Sequence, residues 1–275
     1  MTGTRARWGV VLCAVVAVAI VVIGVRLFLR SSNHKPAVLT PGMNVHSEFS
    51  DALDSRIYRV LHARVLADAG GIDKVIALTF DDGPYPIFTP LLLDRLQDLH
   101  VPATFFLIGR DAEQWPELAQ RIEQDGDEIG DHTYSHPDLD HETPAQVSLE
   151  IIRGRNVLWS LTHDPSVDWL MRPPHGRYNE DTLRVAQRLG YHVVLWTDDS
   201  GDWRTVTPEQ IVAHVERYAT QPDIVLLHSG KLATIEALAA IVQRFHADGY
   251  RFVTVSQLLR TLGAGAVNHP IRRSL

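Results

Sequence analysis

From Lys74 onward, short apolar runs alternate with longer amphipathic ones. The runs VIALTF (75–80), ATFFLIG (103–109), EIGDHT (128–133), WLMRPP (169–174), YHVVLWT (191–197), DIVLLH (223–228) and YRFVTV (250–255) have the length and composition of strands. Helix signals lie between them. Thr89-Pro90 precedes LLLDRLQDL, a cap followed by proline in the first turn, and Thr207-Pro208-Glu209 precedes QIVAHVERYA in the same way. Thr234 opens IEALAAIVQRFHADG, and Gly249 ends that run. Such alternation predicts an α/β fold, a parallel sheet with helices outside. About seven units in roughly 190 residues suit a closed or nearly closed barrel, or an open doubly wound sheet. Both put chemistry at the carboxyl ends of the strands.

The N-terminus follows a different pattern. Residues 8–25, WGVVLCAVVAVAIVVIGV, are uncharged and continuously apolar, at the lower edge of membrane-spanning length. Arg5 and Arg7 precede the stretch, and Arg26 and Arg30 follow it. A cleaved signal peptide needs a small-x-small site just past the apolar run, and RLFLRSSNHKPA offers no good one. The expectation is an uncleaved anchor over 1–30, with the large domain outside the membrane. Residues 31–71 then read as a stalk and an accessory helix, in which Leu53, Ile57, Val60, Leu61 and Val65 recur at helical spacing. The catalytic-looking domain spans 72–263, and 264–275 form a loose tail.

Composition narrows the chemistry. The single cysteine, Cys13, lies in the apolar N-terminal stretch. The rest of the chain therefore has no disulfide, no thiolate zinc site and no cysteine nucleophile, and a metal would have to be held by His, Asp or Glu. The net charge is −7, and the anchor carries arginines but no acids. With no basic stripe, nucleic acid is not an expected partner. No glycine-rich phosphate loop is present, so no nucleotide cofactor is expected either.

The unusual polar residues fall at the predicted strand ends. Asp81 and Asp82 follow the first strand. His132 and His136 follow the third, Arg172 and His175 the fourth, Asp199, Asp202 and Trp203 the fifth, and His228 the sixth. Adjacent carboxylates oppose each other's ionisation unless a cation or a catalytic role offsets the cost. The alternative is a helix cap or Asx turn before Gly83-Pro84. Asp131 and Pro137 place His132 and His136 on a loop. Two imidazoles and a carboxylate make a three-ligand set, although loop histidines also occur without a metal. Arg172, in an apolar strand end, needs an acid, either Asp81 or a purely structural partner. His228 is either a core histidine or the partner of Asp202. Trp203 and Trp196 are either core or a surface for stacking on sugar.

Taken together, TFDDGP (79–84), HTYSH (132–136), RPPHG (172–176), DSGDW (199–203) and LLH (226–228) resemble the five ordered motifs of the polysaccharide deacetylases of the NodB-homology type, carbohydrate esterase family 4. The resemblance runs from about Lys74 to Leu262. It implies a distorted (β/α) barrel of seven strands and deacetylation of a polysaccharide. The expected membrane anchor makes that polysaccharide extracytoplasmic, with peptidoglycan as the first choice. Chitin oligomers, O-acetylated xylan and a non-catalytic glycan-binding role are the alternatives. By position, Asp82, His132 and His136 would bind one divalent metal, zinc in the first instance, with cobalt or nickel able to serve. Asp81 would be the general base, held by Arg172, and His228 the general acid, tuned by Asp202. Leu226 would line the acetyl pocket and Trp203 the groove. Two positions depart from the family pattern: His175, where an aromatic is common, and Ser229, where aspartate often follows the histidine.

Overall fold

The first apolar run forms β1 (Val75–Asp81), buried along its whole length. It is flanked in parallel by β2 (Thr104–Leu107) and β7 (Asp223–His228). Outward from β2 come β3 (Glu128–Asp131), β4 (Leu170–Met171) and β5 (His192–Val193). Outward from β7 comes β6 (Asp198–Asp199). A last short strand, β8 (Arg251–Phe252), pairs with the start of β1. Ile76 pairs with both β7 and β8, so β8 occupies the edge of β1 that β2 takes up from Thr79. The structure, a computed structural model, describes residues 74–261. The expected membrane segment, stalk, accessory helix and tail lie outside the described residues. Among the described residues no helix is long and apolar enough to cross a membrane.

Seven strands therefore run in one curved path with an eighth beside them, an open barrel rather than a closed one. The opening lies between β5 and β6, which follow one another in sequence without pairing to each other. This corrects the reading of 191–197 as one strand. The run stops at Val193, and a separate strand forms at Asp198–Asp199 on the far side of the seam. The strands expected at 103–109, 128–133 and 169–174 are also shorter, because their last residues leave the ladder to build loops or, at Gly109, a helix.

The helices are α1 (Phe88–Leu99), α2 (Gly109–Gln114), α3 (Pro116–Gln124), α4 (Pro144–Thr162), α5 (Glu180–Arg188), α6 (Pro208–Tyr218), α7 (Leu232–Ala247) and α8 (Val255–Thr261). Thr207 caps α6 through a reciprocal pair with Gln210, as expected. Thr89 and Thr234 do not cap. Thr89 lies inside the first turn of α1, and its hydroxyl accepts the Tyr85 N–H. Thr234 lies inside α7, and its hydroxyl donates to Asp202.

Strand alternation sorts the side chains between two layers. Ile76, Leu78 and Phe80 of β1, Phe105 and Leu107 of β2 and Val225 and Leu227 of β7 pack outward against α1, α6 and α7. Val75, Ala77, Phe106 and Ile224 point inward, where Leu258 and Leu259 of α8 plug the barrel's N-terminal end. Thr79, Asp81, Leu226 and His228 share that inward face by the same parity, nearer its carboxyl end. The plug end carries its own acids. Glu128 accepts from Thr104, Ser166 and the Ser256 N–H, and Asp127 accepts the Ala103 N–H at 2.8 Å.

Burial raises the Asp127 carboxyl to about 7, against the pull of its backbone hydrogen bond. A raised carboxyl binds its proton more tightly in the folded chain. Its contribution is therefore fullest below the unfolded value near 4 and is lost as pH rises through about 7. Asp127→Asn keeps the acceptor for Ala103 without the charge. It is expected to stabilise the protein by about 1–3 kcal/mol at pH 8 and by little at pH 4.5. Thermal melts of both proteins at the two pH values check this; equal shifts at both would refute it.

Candidate active site

Arg172 follows β4 directly and is completely buried. Such a guanidinium must find partners for its N–H groups and its charge. Nη1 donates to Asp81 Oδ1 at 2.6 Å and to Thr79 Oγ1 at 2.8 Å. Nε donates to the Val194 carbonyl at 3.2 Å, and Nη2 to the Leu195 carbonyl at 3.1 Å. These two carbonyls lie on the chain crossing the seam between β5 and β6, so the side chain binds the open edge to β1. The guanidinium also lies 4.2 Å from the Phe106 ring centre.

Asp82 lies one residue past the end of β1, in a left-handed conformation with φ 70°. Its Oδ1 lies 3.3 Å from His136 Nε2 and 3.8 Å from His132 Nε2. The three ligating atoms all fall within 4.8 Å of one another. His132 Nδ1 is 2.8 Å from the Arg172 carbonyl. A carbonyl only accepts, so Nδ1 carries the hydrogen and Nε2 presents a lone pair toward Asp82. Burial holds His132 below the ordinary histidine range despite its two neighbouring acids. Burial alone would raise Asp82, but the hydrogen bond from His136 and the charges of nearby histidines hold it down at about 2. The cluster thus brings one carboxylate, the His132 Nε2 lone pair and a second imidazole together, a set of residue types that fits a divalent cation.

The histidines stand on a loop, as expected, and the loop is strained. Thr133 and His136 have φ 67° and 64°. Several bonds hold it. Asp131 accepts the Thr133 N–H, Thr133 Oγ1 accepts the His136 N–H, and Glu150 on α4 accepts from both the N–H and the hydroxyl of Ser135. The N–H groups of Gly109 and Arg110 at the start of α2 donate to the carbonyls of Thr133 and Tyr134. Gly154 lets α4 approach closely, since a Cβ there would lie 2.4 Å from Asp131 Oδ1 and 2.9 Å from Thr133 C.

His228 ends β7 in register with Asp81. Its Nδ1 meets Asp202 Oδ1 at 2.7 Å, while Asp202 Oδ2 accepts the His228 N–H and the Thr234 hydroxyl. Burial pulls His228 down, but Asp202 and then Asp81 and Asp82 outweigh it, so its pKa is raised overall. Leu226 is buried two residues earlier on the same face. Trp203 is 50 % exposed, with Nε1 on Asp199 and Arg204 over its ring. Asp199, Asp202 and Trp203 belong to β6 and the turn after it, not to the end of the fifth strand. His175 adopts φ 55°, bonds Asp138 through Nδ1 at 2.7 Å and packs edge-on to His136.

Sequence reading missed Thr79, Thr234, Asp138 and Gly154. For Thr79 the signal was present, a hydroxyl two residues before Asp81 on the same strand face. Thr234 and Gly154 act across elements, and no local pattern marks them.

The polysaccharide deacetylase family profile matches residues 69–194. A peptidoglycan-N-acetylglucosamine deacetylase of Bacillus cereus is 40 % identical over 193 residues, spanning 68 % of this chain and 89 % of the relative. A crystal structure of the Bc1960 peptidoglycan N-acetylglucosamine deacetylase superposes with TM-score 0.65 at 36 % identity, covering 67 % of this chain and 87 % of the other. BA3943 from Bacillus anthracis, a carbohydrate esterase family 4 pseudoenzyme, superposes with TM-score 0.65 at 26 % identity, over 68 % and 66 % of the two chains.

In an ordinary helix interior, glycine to alanine gains about 1 kcal/mol. Gly154→Ala is expected to do the reverse here. Its Cβ pushes on Asp131 and Thr133, lowering the melting temperature by several degrees. Melting curves check it, and a raised melting temperature would overturn it.

Proposed function

The chain belongs to the polysaccharide deacetylase family, and on that premise we propose that it hydrolyses N-acetyl groups of amino sugars in an extracytoplasmic polysaccharide, with peptidoglycan as substrate. One observation carries the reading. Asp82, His132 and His136 converge within 4.8 Å, beside an Asp81–Arg172 pair and a His228–Asp202 pair. Family membership alone would not carry it, because the family includes a pseudoenzyme.

In this reading Asp82, His132 and His136 hold one divalent cation, zinc in the first instance, with cobalt or nickel able to serve. When bound, it would polarise the amide carbonyl and make a neighbouring water more acidic. Asp81 takes the water's proton as general base. Arg172 fixes its Oδ1, leaving Oδ2 on the side of His132, 3.7 Å from Nε2. The His175 backbone N–H supports the tetrahedral oxyanion. His228, paired with Asp202, protonates the departing amine, which stays on the sugar, and acetate leaves. Leu226 lines the acetyl pocket, and Trp203 walls the groove with its exposed ring. The apolar stretch 8–25 would anchor the domain to a membrane near its polymer. This placement rests on the sequence alone.

The test is acetate release from peptidoglycan, chitin oligomers and acetylated xylan, with and without chelator. Release from peptidoglycan, lost with chelator and restored by zinc, is expected, and Asp81→Ala should cut it at least about 100-fold while glycan binding persists. Release from none of the three by the parent, with binding retained, would favour the non-catalytic alternative. Release only from chitin oligomers or only from xylan would replace the substrate.

The proposed general acid gives a separate prediction. His228 must be protonated to act, so turnover should fall as pH rises through its raised pKa. Asp202→Asn keeps an acceptor for Nδ1 but removes the charge. It is expected to move that alkaline limb down by about one pH unit. A pH profile of kcat checks this, and an unmoved limb would show that His228 is not the group titrating.

A further inference from the structure

Asp81 and His228 are partners in the β1–β7 ladder, and one residue later the two strands part. Asp82 and Gly83 both turn left-handed, each with φ 70°. On the other strand stands Ser229, which is buried. Its N–H donates to the Asp81 carbonyl at 3.1 Å, extending the ladder by one step. Its hydroxyl lies 3.1 Å from the same carbonyl and 3.2 Å from the carbonyl of Asp82. A hydroxyl carries one hydrogen. The Asp81 carbonyl already has the Ser229 N–H, so the hydroxyl's distinct contribution is to Asp82. Gly83 makes room for it, since a Cβ there would lie 2.9 Å from Ser229 Oγ.

A non-glycine residue in the left-handed region is strained and persists only where its surroundings fix it. Holding the Asp82 carbonyl orients the peptide that follows Asp82. The direction of the Asp82 side chain follows from that backbone conformation. The carboxylate that meets His132 and His136 therefore depends on a bond made by the residue next to His228.

We infer that Ser229 is a positioning residue for the cation site: its hydroxyl holds Asp82 in the left-handed turn that brings the carboxylate to His132 and His136. The inference rests on the reading of those three residues as cation ligands. The aspartate that often stands at this place in the family's motif only accepts while ionised, so it could not donate to these two carbonyls. The contact is a property of this chain's serine. It also couples two elements of the reaction, because the residue that seats the ligand strand follows directly on the proposed acid.

The test uses the full-length chain in detergent and measures zinc affinity by competition with a chelating dye. Ser229→Ala removes the hydroxyl and leaves the N–H bond to Asp81 in place. It is expected to weaken zinc binding about tenfold. It should lower kcat at limiting zinc, recover to within about threefold at saturating zinc, and leave KM unchanged. A variant that binds zinc within twofold of the parent overturns the inference. A parent that binds no zinc overturns the cation reading itself, which separates the two failures. Should the alanine protein not fold, Ser229→Cys, close in volume with a weaker donor, carries the same titration, and parent-like affinity there overturns the inference.

Discussion

A guanidinium sealed inside an incomplete barrel sets the terms for this domain. Arg172 has no exposed surface, and an unpaired charge there would be prohibitive. Its partners are therefore fixed by necessity. One is a carboxylate, Asp81. Two are carbonyls on the segment crossing the seam where β5 and β6 do not pair. The strand path is open there, and a side chain takes over the joining role that ladder hydrogen bonds have elsewhere. The same residue's carbonyl holds the His132 ring by Nδ1, and its N–H continues from β3 through the Asp131 carbonyl. The proposed base and one proposed ligand are thus set by one buried residue, so the requirement that keeps the barrel intact also places its chemistry.

Backbone strain follows the same geography. Among the described residues six non-glycine residues have positive φ, and four of them, Asp82, Thr133, His136 and His175, surround the candidate cation site. The other two, His100 and His163, end helices, where the left-handed conformation is ordinary. Strain of this kind survives only when neighbours over-determine the backbone. Here the neighbours are the first turn of α2, Glu150 and Gly154 of α4, and Ser229 after β7. The ligand loop is held from several sides at once, and this explains how a short irregular segment can present two imidazoles at fixed spacing.

Much of this was legible in the sequence, for identifiable reasons. Long apolar runs such as VIALTF and DIVLLH became strands, because a strand buried on both faces reads as a continuous run. The unusual polar residues gathered at the strand ends as expected, and of the two partners open to a buried Arg172 the fold supplies Asp81. The short strands on the side of the seam were harder to read. WLMRPP and YHVVLWT look like strands by composition, yet only two residues of each join the ladder. The length of such a strand depends on what its neighbours offer, and no local pattern carries that. Thr-Pro before an apolar run marked a cap correctly at Thr207 and wrongly at Thr89, where the helix had already begun at Phe88. Thr234 was read as a helix start. Its hydroxyl instead belongs to the Asp202 carboxylate, a contact made only by the tertiary fold.

The two acid-bearing pairs are built alike and act in opposite directions. Asp81 is set against a cation that cannot lose its proton, so its carboxylate keeps a permanent counter-charge. Asp202 is set against an imidazole that can lose its proton, so the gain goes to the protonated ring. In the proposed reading one pair carries the group that accepts a proton and the other the group that gives one, and the β1–β7 register places them side by side. Such a division of labour needs few side chains. A relative can keep the fold and still be a pseudoenzyme, because the barrel is maintained by the outward layer of Ile76, Leu78, Phe105 and Leu227, which takes no part in proton transfer. The inward residues near the carboxyl rim are a separate set, and in the proposed reading they carry both pairs and the donor set between them. In this chain Thr79, Asp81 and His228 lie on that inner face, with Asp82 just beyond it.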